Sequence, residues 1–194
     1  MDKRVLIILG HPDRSSFCGA MADAYEAGAK AAGHDVARLS LGDLGFDPIL
    51  HKGYAEIQPL EPDLLSAQKA INRAEHLVFV YPVWWGGPPA LLKGFFDRLF
   101  LPDFAFKFRD ASSPWWDRLL SGRTARLLVT MDTPPWYYRW VYRMPGHNQM
   151  KLTILDFCGI KPVSISNFGP VKTSSNEQRS KWLANVKELG RQAR

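Results

Sequence analysis

The chain has 194 residues, 46% of them hydrophobic, a formal charge of +6 and an isoelectric point near 9.4. That length suits one globular α/β domain with a full core, and no apolar run approaches the roughly 20 residues a bilayer-spanning helix needs. The expectation is a single domain over 1–194, cytoplasmic, with no integral membrane segment. Cys18 and Cys158 lie far apart, with neither a C-x-x-C nor a metal-ligand spacing, which predicts free thiols and no metal site. The positive charge suits an anionic partner: nucleic acid, a membrane surface or a phosphorylated cofactor. No basic block is interleaved with aromatics as a nucleic-acid arm would be, which argues against nucleic acid.

In chain order, residues 5 to 9, Val-Leu-Ile-Ile-Leu, read as a strand buried on both faces. A polar loop, Gly10 to Ser16, precedes helical periodicity from Phe17 to about Ala32, with Gly33 at C′. Unpaired N–H groups, two hydroxyls, an arginine and an imidazole make this loop either a phosphate site or an ordinary helix cap at Ser15 or Ser16. Val36 to Leu41 is a short second strand. Residues 42 to 63, with Pro48, Pro59 and Pro62, form a long surface excursion, which suits a subunit interface or a ligand cover. A helix follows from about Leu64 to Arg73.

The next stretch organises the chain. Leu77 to Tyr81 is an unbroken apolar run rich in β-branched and aromatic residues, and Pro82, lacking an N–H, ends its ladder. Gly86 and Gly87 permit a tight loop, and Pro88 or Pro89 opens a helix with apolar residues at 91, 92, 95, 96, 99 and 100. Trp84 and Trp85 sit at the carboxyl end of an expected parallel strand, where open α/β sheets bind ligands. They either wall a flat ligand or cap the core. Phe104, Phe106 and Phe108 alternate with smaller or polar residues, so the three rings share one side if the segment is extended. They line an apolar pocket or pack inward as a short strand. Trp115 to Leu120 continues an irregular insertion.

Leu127 to Met131 is a fourth buried strand, followed by an aromatic-rich loop, Asp132 to Trp140. A helix from about Asn148 to Phe157 closes at Gly159, Val163 to Ser166 is a fifth strand, and a last helix spans Asn176 to Gln192. Five strand runs alternating with helices specify a doubly wound sheet. The lack of Gly-x-Gly-x-x-Gly after the first strand argues against a dinucleotide fingerprint and favours strand order 2-1-3-4-5.

Two motifs carry a family resemblance. Gly-His-Pro-Asp-Arg-Ser-Ser-Phe at 10 to 17 and Tyr-Pro-Val-Trp-Trp-Gly-Gly-Pro-Pro-Ala-Leu-Leu-Lys-Gly-Phe-Phe-Asp-Arg-Leu-Phe at 81 to 100 resemble the NAD(P)H:quinone oxidoreductase branch of the flavodoxin-like flavoproteins. Phe104 to Phe108 and Phe157-Cys158-Gly159-Ile160 extend the likeness over most of the chain. It implies a flavodoxin-like three-layer sandwich on a five-stranded parallel sheet. It also implies that His11, Ser15, Ser16, Phe17 and Cys18 bind the flavin's phosphate arm, with Cys18 where relatives often have Asn. Pro82, Val83, Trp84 and Trp85 would hold the isoalloxazine. Thr130, Asp132 and Thr133 would add contacts, although Met131-Asp132-Thr133-Pro134 stands where many relatives have Thr-x-Gly-Gly. Phe106 and Phe108 match tyrosines that close over nicotinamide or quinone.

The implied activity is hydride transfer from NAD(P)H through flavin N5 to a quinone or related acceptor, in a ping-pong cycle. Tyr137, Tyr138 and His147 follow the fourth strand where relatives place a Tyr and a His to stabilise reduced flavin; surface or interface residues are the other reading. FAD is preferred to FMN, with Phe17 and the 42 to 63 excursion as the resting place for adenine. A homodimer is expected, roofed by the excursion and the 136 to 142 aromatics. The alternatives are a flavoprotein subunit regulating a membrane potassium-efflux transporter, and a one-electron flavodoxin-type carrier. Such carriers are typically acidic, unlike this chain.

Overall fold

A computed structural model describes residues 2–109 and 114–193. Its main sheet is parallel, built from β1 (Arg4–Leu9), β2 (Asp35–Ser40), β3 (His76–Pro82), β6 (Thr124–Thr130) and β7 (Val163–Phe168) in the order β2-β1-β3-β6-β7. Counting these strands alone, that is 2-1-3-4-5. Between β3 and β6 the chain inserts a separate antiparallel pair, β4 (Phe106–Phe108) and β5 (Trp116–Arg118).

Alternation along each strand creates two cores. Leu6 and Ile8 of β1, Leu77, Phe79 and Tyr81 of β3, and Leu127 and Val129 of β6 face one side. There they meet α2 (Pro62–Arg73), α3 (Ala90–Leu99) and the helical run made of α5 (Pro145–Asn148), a π-helical stretch (Gln149–Leu155) and α6 (Asp156–Cys158). Val5, Ile7, Leu9, Val78, Val80 and Leu128 face the other side, under α1 (Phe17–Ala31) and α7 (Asn176–Gln192). Each fully buried Leu, Ile or Phe stabilises the fold by about 1.5–3 kcal/mol. The register aligns the strands' carboxyl ends: Leu9 pairs with Val80, and Pro82 with Thr130. Gly10, Val83 and Met131 each donate one further backbone bond, to Val80, Thr130 and Phe168. The loops after β1, β3 and β6 therefore leave the sheet side by side.

Several boundaries differ from the sequence reading for identifiable reasons. β6 starts at Thr124 rather than Leu127, because Arg126 is accommodated inside the strand with its guanidinium donating to the Ser166 hydroxyl at 2.7 Å. β7 continues past Ser166 through Asn167 to Phe168. The expected irregular insertion at 115 to 120 contains a strand. The expected loop at 132 to 140 contains a short helix, α4 (Pro135–Trp140), started by Pro135 at its amino end. Only Phe106 to Phe108 is extended, so Phe104 turns away towards Phe100, 6.3 Å between ring centres, while Phe106 and Phe108 meet edge to face. Both cysteines are free and buried.

The long excursion is held from below. Arg98 of α3 is fully buried and donates to Glu61 at 2.9 and 3.1 Å, to the Pro59 carbonyl at 2.9 Å and to the Asp47 carbonyl.

Candidate functional site

The three adjacent loops enclose a groove of about 270 Å³ lined by His11, Ser16, Phe17, Cys18, Pro82, Val83, Trp84, Thr130, Met131, Asp132, Thr133 and Val171. Ten of these are the residues expected from sequence; Met131 and Val171 were not singled out there. The groove continues into a hollow of about 500 Å³, which shares Val83 and Thr133 and adds Trp85, Gly86, Tyr138, Tyr142 and Pro145.

One end of the groove is the start of α1. Ser16 is the N-cap and its hydroxyl accepts from Gly19 N at 3.3 Å, leaving the amides of Phe17 and Cys18 in the first turn with no intrahelical acceptor. The loop before it is folded around Asp13. The Asp13 carboxylate accepts from the Ser15 amide and hydroxyl at 2.8 and 2.7 Å, and those bonds hold its pKa below the ordinary value. Ser15 therefore faces Asp13 and does not line the groove. His11 Nδ1 accepts from Asp13 N at 2.9 Å, and its ring stands edge-on to Trp84 with centroids 5.4 Å apart. On the floor, the Cys18 sulfur lies 3.2 Å from the Thr130 hydroxyl, and burial pushes the thiol up to about 11, so it is neutral at physiological pH. Phe17 packs on Trp182, 6.1 Å between centroids, with Arg179 over its ring. The aromatic company of Phe17 thus comes from α7 and not from the 42 to 63 excursion.

The other end is a tight turn. Trp84 and Gly87 exchange backbone bonds of 2.9 and 3.0 Å, and between them Trp85 and Gly86 take φ of 51° and 80°, the left-handed pair of a type I′ turn. A tryptophan there is strained, and the geometry throws its ring fully into solvent. The turn is clamped. Tyr138, fully buried, donates its hydroxyl to Gly86 O at 2.9 Å, and Gly146 N donates to the same carbonyl at 2.9 Å and to the Tyr138 oxygen at 3.0 Å. Gly146 permits this approach, since a Cβ there would lie 2.7 Å from Gly86 O. His147 is buried beside Tyr138, 5.0 Å between ring centres, with Nε2 2.8 Å from Asn167 Oδ1. Burial lowers its pKa, against the opposing pull of Asn167, so the ring is neutral near pH 7. Burial likewise raises the Tyr138 phenol.

Phe106 and Phe108 do not join this groove. They line a separate apolar hollow of about 550 Å³ with Tyr54, Phe96, Phe100, Ile154 and Phe157. Among the described residues no His, Cys, Asp and Glu cluster could hold a metal ion, and no helix is long and apolar enough to cross a membrane. Sequence reasoning missed Gly146, Asn167, Pro145 and Val171, and expected Tyr142 only among the roofing aromatics of 136 to 142. For Val171 the usable signal is its place just after β7, another carboxyl strand end of the sheet, where its amide donates to Met131 O and that of Lys172 to Asp132 Oδ1.

The fold and the groove together define a doubly wound α/β protein with its crevice at the switch point between β1 and β3. The chain belongs to the flavodoxin-like fold family, whose model matches residues 3–189. It is 33% identical to NAD(P)H dehydrogenase (quinone) 1 of Cavia porcellus over 127 residues, 55% of this chain and 46% of that protein, so the match spans about half of that relative's length. An NAD(P)H oxidoreductase of Haemophilus influenzae is 28% identical over 185 residues, 92% of this chain and 89% of that one. Among solved structures, an NAD(P)H:quinone oxidoreductase of Methanothermobacter marburgensis superposes with a TM-score of 0.82 at 23% identity, covering 100% of both chains, a likeness of fold.

Proposed function

We propose that the chain is one flavin-binding domain that oxidises NAD(P)H and reduces a quinone-type acceptor. The observation that carries this is the convergence of an anion-ready helix start and an aromatic turn in one crevice. The donor set fits a phosphorylated flavin. The free amides of Phe17 and Cys18, the Ser16 hydroxyl and His11 suit the phosphate arm, with Ser15 fixing the loop through Asp13. Pro82, Val83, Trp84 and Trp85 suit the flat ring, with Thr130, Asp132 and Thr133 on its opposite edge. Bound there, a flavin supplies two-electron hydride exchange with NAD(P)H and then with the acceptor, in a ping-pong order.

In this reading Tyr138 is a positioning residue whose hydroxyl is committed to Gly86 O, so it acts through the Trp84–Gly87 turn. Neutral His147 lies behind it, held by Asn167. FAD is the preferred cofactor, with adenine resting against Phe17 and its α7 neighbours, and FMN is the competing choice. Phe106 and Phe108 line a hollow apart from the groove of their own chain. Their proposed role over nicotinamide or quinone therefore calls for a second copy, whose groove they would cover.

The test is purification without added flavin, an absorbance spectrum, and mass spectrometry of the heat-released cofactor. A yellow protein releasing FAD supports the reading. Release of FMN rejects only the choice of FAD, and a colourless protein that neither flavin reconstitutes rejects the function.

A further inference from the structure

The groove carries a fixed charge that the reading above does not use. Of the residues lining the groove and the hollow that continues it, Asp132 is the only Asp or Glu, and none is Lys or Arg. The Cys18 thiol beside it in the lining is neutral, pushed up to about 11 by burial. Asp132 is exposed, but its place is set: the Lys172 amide donates to Asp132 Oδ1 at 2.8 Å, and the neighbouring Met131 donates to Phe168 O and accepts from the Val171 amide. Among the described residues no Lys or Arg forms an ion pair with Asp132. Behind the same loop, the Arg179 guanidinium donates to Val171 O at 3.0 Å and to Ser174 Oγ at 2.9 Å and packs over Phe17. The carboxylate therefore faces the groove without a neutralising partner.

We propose that Asp132 is a redox-tuning residue, whose carboxylate lowers the two-electron reduction potential of the flavin bound in the groove. The proposal rests on the flavin reading of that groove. Hydride from NAD(P)H carries two electrons and one proton to the ring and leaves NAD(P)+, so reduction adds one unit of negative charge. That charge is removed when the reduced ring passes two electrons and the proton to a quinone, which takes a second proton from water and leaves as the hydroquinone. A fixed negative charge opposes the added one and leaves the neutral oxidised ring almost untouched. Delivery to the acceptor gains driving force, and uptake from NAD(P)H loses the same amount. At a separation of about 8 Å, the scale of a groove of this volume, and an effective dielectric constant of about 40 for an exposed group, the ratio of reduced to oxidised flavin falls about fivefold. For a two-electron couple that is about 20 mV.

The experiment is an anaerobic equilibrium titration of the flavin-loaded protein against a reference dye, for wild type, Asp132→Asn, Asp132→Glu and Asp132→Ala. Asn removes the charge and keeps an Oδ1 that accepts from the Lys172 amide, Glu keeps the charge, and Ala removes both charge and bond. The Asn and Ala variants should each have a potential about 20 mV above wild type, with the Glu variant closer to wild type than to Asn. The gap between Asn and wild type should narrow in about 1 M salt, because the carboxylate is exposed. An Asn variant with a potential equal to or below wild type overturns the proposal. A rise in the Ala variant alone also overturns it, since Asp132 then acts through the position of its loop. Flavin bound normally in all four proteins at one common potential rejects the tuning and leaves the proposed activity standing, whereas a wild type that binds neither FAD nor FMN rejects the flavin reading and the proposal with it.

Discussion

Replacing Tyr138 by Phe separates a positioning role from a chemical one. The change keeps the buried ring and opens no cavity. It removes the O–H that donates to Gly86 O at 2.9 Å and the oxygen that accepts from Gly146 N at 3.0 Å, while Gly146 N keeps its bond to the Gly86 carbonyl. The expected loss is one net hydrogen bond, about 1 kcal/mol. For a chain of this size that lowers Tm by about 2–4 °C. Because the bond holds a turn in which Trp85 has a φ of 51°, the loss should reach the groove, raising the flavin Kd about fivefold. Turnover at saturating flavin should stay within about threefold of wild type, with an unshifted pH profile. Flavin titration, melting and steady-state assays on the same preparations measure all three. A fall in kcat of about 100-fold or more with flavin affinity unchanged would show a hydroxyl acting directly in the chemistry and refute the clamp.

Trp84→Ala should weaken flavin binding about 2- to 13-fold, from about 0.5–1.5 kcal/mol of ring packing, and Trp85→Ala should weaken it more than a distant surface change; dissociation constants equal to wild type in both would contradict the aromatic wall. Arg98→Met should destabilise the fold by about 3 kcal/mol in urea, because the excursion loses its bonds to Asp47, Pro59 and Glu61 together; a loss under about 0.5 kcal/mol would show that the excursion is held elsewhere. His76 is buried, and desolvation, aided by Lys3, Arg126 and His34, lowers its pKa from 6.5 to about 3. Below pH 6.5 the unfolded chain takes up a proton that the folded chain refuses, so stability should fall on acidification towards about pH 3. His76→Asn should flatten that slope, and an equal slope in both proteins would place the acid sensitivity elsewhere.

The parallel sheet was legible because its central strands are buried on both faces, so Val5 to Leu9 and Leu77 to Tyr81 read as continuous apolar runs. Where a strand admits a polar residue, the pattern fails. Arg126 hid the first turn of β6, and Asn167 hid the end of β7 and with it the partner of His147. The groove's two rims were legible as strand-end loops, but the clamp was not: Tyr138, Gly146 and Gly86 meet only in three dimensions, and nothing in their spacing marks a shared carbonyl. Alternation misled at Phe104, where a turn before β4 breaks the extended geometry that the pattern assumed. The exposed aromatics after Pro135 read as a loop because a short helix with proline at its start leaves little periodicity to detect.

The most direct test of the central claim is an anaerobic titration of the purified, flavin-loaded protein. With NAD(P)H alone, the flavin absorbance should bleach at one equivalent per site. After removal of the nicotinamide, a quinone should restore the oxidised spectrum, each half-reaction running at least as fast as steady-state turnover. Bound flavin that neither NADH nor NADPH bleaches, or reduced protein that no quinone reoxidises, would contradict the account.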